Sequence, residues 1–198
     1  MKKKTIVLIS CLTLAVCMSI GATLAWLTSQ TGTLTNTFTV GKIGITLDEA
    51  KTDYNEIVSN ERTTSGNSYM IYNSAELPKD PTVTIAADSE DCYVFMSFKV
   101  SDELSAVIED IVIDTEHWTE VDGHEGLYVY SQNKEAVIVT KGDSENKLPP
   151  LFTEVKVKAD GNLDSLTGND TIIVKALAHQ SNGITYQNAV QTAADSLL

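Results

Sequence analysis

The chain carries 198 residues, 42% of them hydrophobic and 21% charged, with 27 acidic against 14 basic side chains and a formal charge of −13. That length supports one domain with a sizeable core. The acidic balance argues against nucleic acid and anionic membrane surfaces as partners, since both repel it.

The N-terminus reads as an export signal. Lys2, Lys3 and Lys4 precede an apolar run over 6–20 that only Ser10, Thr13 and Ser19 interrupt, and the small residues Thr23 and Ala25 precede Trp26. Charged, apolar and small-residue parts in that order make a cleavable secretory signal. Residues 1–25 are therefore expected to be removed and 26–198 to be secreted, to the extracellular matrix or the cell surface. Residues 5–27 also reach the ~20 residues of a membrane anchor. The recurring polar residues, with no stop-transfer charge behind them, favour cleavage. Residues 8–11 look like a lipoprotein cleavage box, but a cut there would leave too short an apolar region. Loss of the three lysines takes the formal charge from −13 to −16. Cys11 and Cys17 fall inside the signal, so Cys92 is alone in the mature part, where neither a disulfide nor a cysteine-based metal site is expected.

Period-two alternation dominates the rest. Over 37–47, Phe38, Val40, Ile43, Ile45 and Leu47 alternate with small or polar residues, and the phase slips by one near Gly41, as at a strand bulge. Further strands are predicted over 82–85, 93–100, 111–113, 127–130, 136–140, 153–157 and 171–179. Turn and loop clusters separate them at 59–67, 88–91, 122–123, 141–147 and 160–162. Short helices are predicted over 102–108, with Ser101 as a possible cap, and over 186–197, where Ala189, Val190, Ala193, Ala194 and Leu197 share one helical face. Many short strands at regular spacing point to an all-β sandwich or barrel.

No recognisable reaction chemistry accompanies this pattern. His117, His124 and His179 are the three histidines. His124-Glu125 starts like a zinc-protease motif, but Tyr128 stands where the second histidine must share a helix face. Gly123 and Gly126 make that segment read as a turn. There is no nucleophile elbow, phosphate loop or dinucleotide fingerprint. Acidic neighbours of Cys92 raise its thiol pKa and suit a buried hydrophobe better than a nucleophile. The acidic clusters 88–91 and 143–145 could hold calcium but lack the spacing of a loop motif, which favours solvated turns. Trp118, Tyr128, Tyr130 and Phe152 are expected in the core rather than on a binding surface. A non-enzymatic protein with no metal and no cofactor is expected.

Several segments together resemble the TasA/camelysin family: Gly21-Ala22-Thr23-Leu24-Ala25-Trp26-Leu27-Thr28, Asn36-Thr37-Phe38-Thr39-Val40-Gly41, Ile45-Thr46-Leu47-Asp48-Glu49, Lys79-Asp80-Pro81-Thr82-Val83-Thr84, Ser89-Glu90-Asp91-Cys92-Tyr93-Val94 and Leu148-Pro149-Pro150-Leu151-Phe152-Thr153. The closing Val174-Lys175-Ala176-Leu177-Ala178-His179-Gln180 is similar too, although Leu177 and His179 replace an aromatic and a valine. The resemblance implies a jelly-roll-like antiparallel β-sandwich with short peripheral helices, exported through a SipW-type signal peptidase. It further implies self-association into biofilm-matrix fibres, with other matrix proteins as possible partners. In fibre-forming members an N-terminal segment freed by cleavage inserts as a strand into the next subunit. Residues 26–47 are the candidate donor here, with Leu27, Leu34, Phe38 and Val40 as its apolar positions. For 28–36, insertion into a neighbour and pairing within the same subunit stand equal, and an in-chain strand is favoured for 38–47. The alternatives are a camelysin-type metallopeptidase and a monomeric adhesin or binding module.

Overall fold

Twelve strands occur among the residues that the computed structural model describes, which are 41–198 together with Lys3. The cleavage residues Thr23, Ala25 and Trp26 and the strand-exchange positions Leu27, Leu34, Phe38 and Val40 lie outside them. The strands are β1 (Ile45–Asp53), β2 (Glu56–Thr63), β3 (Glu76–Pro78), β4 (Thr82–Ile85), β5 (Cys92–Val100), β6 (Ile108–Ile113), β7 (Trp118–Glu120), β8 (Leu127–Gln132), β9 (Glu135–Ala136), β10 (Asn146–Lys147), β11 (Phe152–Val157) and β12 (Ile172–Gln180). Helix α1 (Asp102–Val107) precedes β6, and α2 (Tyr186–Leu197) follows β12. The strands pair antiparallel in three sheets, ordered β10-β4-β1-β2, β3-β11-β6 and β12-β5-β8-β7, with β9 added to β8. The protein is an all-β antiparallel sandwich with short helices at its periphery.

β5 is the centre of the molecule because it is apolar on both faces. Val94 and Met96 point into the core between sheets with Val83, Ile85, Trp118 and Phe152. Phe95 points the other way, into a second core with Leu127, Val129 and the inner face of α2. That face consists of Ala189, Val190, Ala193 and Leu197, while Ala194, the fifth residue predicted on it, is only partly buried. The Thr185 side chain accepts from the Asn188 N–H and caps the helix. No helix of the described residues is long and apolar enough to cross a membrane.

Five predicted elements change, one of them the loop cluster 141–147, whose last two residues form β10 against β4. Residues 59–63, expected in a loop, belong to β2, and the loop begins only after them. Ser59, Asn60, Glu61 and Arg62 carry no apolar alternation, because β2 is a polar edge strand held by backbone pairing to β1 and by Arg62, which reaches both Asp48 and Asp80 at 2.7 Å. The strand expected over 136–140 ends at Ala136, and Val139 makes only an isolated bridge to Cys92. Within the described part of 38–47 the strand begins at Ile45, since the Gly44 backbone instead bonds Ser89 and Ala86. Ser101 occupies the N-cap of α1 without capping it; its hydroxyl accepts from the Thr171 N–H and contacts Asp170.

The β1–β2 and β8–β9 turns are both two-residue hairpins with positive φ at each central position: Tyr54 and Asn55 at 46° and 71°, Asn133 and Lys134 at 52° and 65°. Such turns match the twist of the flanking strands.

Candidate functional site

The sandwich has an open side. β12 lies at the edge of its sheet, paired residue for residue to β5, and its other flank has no strand neighbour among the described residues. Across from it, Ile45, Thr46, Leu47 and Asp48 of β1 pair with β4, whereas the pairing of β1 to β2 begins only at Glu49. β3 pairs with β11 alone. Among the described residues the free flanks of β12 and of 45–48 therefore border one groove.

The groove is apolar at its base. Its larger part, about 510 Å³, is lined by Tyr69, Ile71, Leu77, Ile108, Val155 and Ile172. A smaller part, about 130 Å³, adjoins it through the shared residues Lys79 and Ile172 and runs between Leu47 and Val174. The inward side chains of β12 (Ile172, Val174, Ala176 and Ala178) are only partly buried against the core. A free main-chain edge above half-covered alternate side chains is the geometry that an added β-strand completes.

One wall of the groove is polar and buried. Glu49 is 5% exposed. Its Oε2 accepts from Lys79 Nζ at 2.5 Å, and its Oε1 accepts from Asn67 Nδ2 at 2.9 Å. The Asn67 Oδ1 accepts from the Thr52 N–H at 2.9 Å. The Tyr69 ring lies 5.9 Å from Lys79 Nζ, and its hydroxyl donates to the Pro78 carbonyl. Burial, with the nearby Glu49 charge, pushes the Tyr69 phenol up to about 12. The segment 67–72 alternates like a strand but pairs with none; Tyr69 and Ile71 face the core, while Met70 and Tyr72 are exposed. Two bonds from the Asn55 side chain to the Met70 backbone hold it. Neither the groove nor this wall was marked by any sequence motif; the alternation over 67–72 was the one available signal.

The other candidate residues are dispersed. His117 Nδ1 contacts Asp114 Oδ2 at 2.8 Å within its own turn. His124 sits in the predicted turn between β7 and β8, and His179 lies on β12. No group of three or more His, Cys, Asp or Glu placed to hold a metal occurs among the described residues. The acidic clusters 88–91 and 143–145 meet at one shallow depression. There Glu90 pairs with Lys141, the Asp91 carboxylate accepts from the Lys141 N–H, and Ser89 is buried against Gly44. An open hollow of about 850 Å³ flanks the β7–β8 turn. Its aromatic lining is already committed to packing: Trp118 is 1% exposed and Tyr128 stacks on Phe98. Phe152 is fully buried and Tyr130 packs edge-on against Trp118.

Cys92 is fully buried, and burial first, then the Asp91 charge, pushes its thiol up to about 11. Iodoacetamide at neutral pH should leave the native protein unmodified and label it once unfolded. Both raised groups also set an alkaline limit. In the unfolded chain the Cys92 thiol and Tyr69 phenol ionise near 9.0 and 10.0, before their folded counterparts near 11 and 12. Between those values the unfolded state binds fewer protons, so stability falls as pH rises. The urea midpoint should therefore hold up to about pH 9 and decline above it.

No family model, curated protein or solved structure matches this chain.

Proposed function

We propose that the mature chain is a secreted structural subunit of the cell surface or biofilm matrix, which assembles into fibres by lending its N-terminal segment to the groove of the next copy. The supporting observation is the edge of β12, nine residues long, without a strand neighbour among the described residues and bordering an apolar groove. Residues 26–40 carry no acidic side chain and are rich in Thr, so they suit insertion into a sheet far better than the acidic remainder. Leu27, Leu34, Phe38 and Val40 supply apolar side chains for the groove base. Donor and acceptor are different surfaces, so the contact is heterologous, and it propagates into an open filament when the rotation between copies does not close. The likeness to TasA/camelysin-type proteins agrees with this assignment.

Cleavage after Ala25 is the step that frees the donor. Ala25→Arg should block processing by the SipW-type signal peptidase, because a small-residue site cannot accept a bulky charged side chain. N-terminal sequencing of secreted material checks this, and normal processing of the variant would place the cut elsewhere. Electron microscopy of the purified mature protein tests the function itself. Fibres are expected; a mature form that stays monomeric over a wide concentration range would refute strand exchange. A chelator-sensitive peptide cleavage by the same preparation would favour the metallopeptidase alternative instead.

A further inference from the structure

Glu49 connects two groups that are able to react with each other. One carboxylate oxygen holds the Lys79 amine at 2.5 Å and the other holds the Asn67 carboxamide nitrogen at 2.9 Å. The Lys79 and Glu49 side chains are 10% and 6% exposed. An amine and a carboxamide held on the two oxygens of one buried carboxylate at the groove wall are brought into range for acyl transfer. The carboxamide is also polarised: its Oδ1 faces the Thr52 N–H at 2.9 Å, a fixed donor where negative charge would develop.

We propose that Lys79 and Asn67 become joined by an intramolecular amide bond, formed by the folded chain with Glu49 as its catalytic residue. The Glu49 carboxylate takes a proton from the Lys79 ammonium and leaves a neutral amine. That amine attacks Asn67 Cγ, forming the new C–N bond, and the charge placed on Oδ1 is stabilised by the Thr52 N–H. Glu49 returns its proton to Nδ2, and the old C–N bond breaks. The departing ammonia takes the remaining surplus proton from the new amide nitrogen and leaves as ammonium. Glu49 ends as the carboxylate it began as. No redox step is involved, and the only product besides the cross-link is ammonium.

The bond has a structural purpose that this fold makes evident. Among the described residues, segment 67–72 forms a groove wall without pairing to any strand, and Cys92 is buried without a disulfide partner. A covalent tie from Asn67 to the end of β3 would anchor that wall whether or not the groove accepts a strand.

Peptide mapping of the full mature protein tests the proposal. Trypsin should fail to cut at the acylated Lys79 and release 63–99 as one peptide, lighter by one ammonia than its sequence. Cyanogen bromide cuts that peptide at Met70, between the two partners, and at Met96, and should leave 63–70 joined to 71–96 while 97–99 is released. In Lys79→Arg, which keeps the charge but cannot form the amide, and in Glu49→Gln the full mass should return. Separate wild-type peptides 63–79 and 80–99 at full mass would overturn the cross-link. So would an ammonia loss that persists in Lys79→Arg, which would report cyclisation of an asparagine. The wild-type map decides the matter even where a variant fails to fold.

Discussion

A chain trimmed to begin at Gly41 should fold, and should remain monomeric at concentrations where the longer mature chain is expected to form fibres. Folding is expected because both described cores draw on residues between Ile43 and Leu197. Loss of polymerisation is expected because the trimmed chain keeps the groove along β12 but has no donor to place in a neighbour. The effect should be complete, since edge pairing by main-chain hydrogen bonds has no substitute elsewhere in the proposed contact. Light scattering and electron microscopy read the outcome, and fibres from the trimmed chain would rule out the N-terminal segment as donor. Val174→Arg separates the acceptor from the donor. Val174 lines the groove, and a charged side chain there would have to be desolvated by any incoming strand. That variant should fold, fail to accept, and still donate to unmodified copies.

Phe152→Ala should lower the unfolding free energy by about 3–5 kcal/mol, the usual cost of emptying a buried aromatic site. That is a large part of the ~5–15 kcal/mol that holds a domain together. Phe152 is fully buried on β11 and meets the Phe98 ring edge-on, with centroids 5.4 Å apart. The Phe98 ring in turn stacks on Tyr128 at 6.0 Å. The cavity would therefore open where β11 and the β5–β8 sheet face each other, among side chains that already support one another. Urea denaturation measures the loss. Ile57→Ala provides the contrast: Ile57 is 58% exposed on the edge strand β2, so its removal should change stability by no more than about 0.5 kcal/mol. Equal losses at both positions would mean that Phe152 does not hold β11 against the β5–β8 sheet.

The two helices and the central strand were legible because each carries its own local signal. α2 has small apolar residues at helical spacing behind a threonine cap, and β5 is apolar throughout because sheet neighbours and a helix cover both its faces. β2 was illegible for the opposite reason. A polar edge strand buries little, so nothing in its composition distinguishes 59–63 from a loop, and its pairing is supplied by β1 and by the Arg62 bridge to Asp48 and Asp80. Ser101 shows a local signal diverted: the residue has cap chemistry, but a backbone N–H on a distant loop takes its oxygen.

By itself the sequence determined an acidic, β-rich chain with one cysteine beyond its N-terminal apolar run, because charge balance, alternation and residue counts do not depend on which segments meet. Only the tertiary structure decided that β12 has no second strand neighbour among the described residues and borders an apolar groove, and that Asn67 and Lys79 share the buried Glu49 carboxylate. These three residues lie on a strand, a loop and a strand end, and no local spacing records their approach. Their contact follows from how β1 and the 67–72 segment close over the core, a long-range packing outcome that local patterns cannot encode.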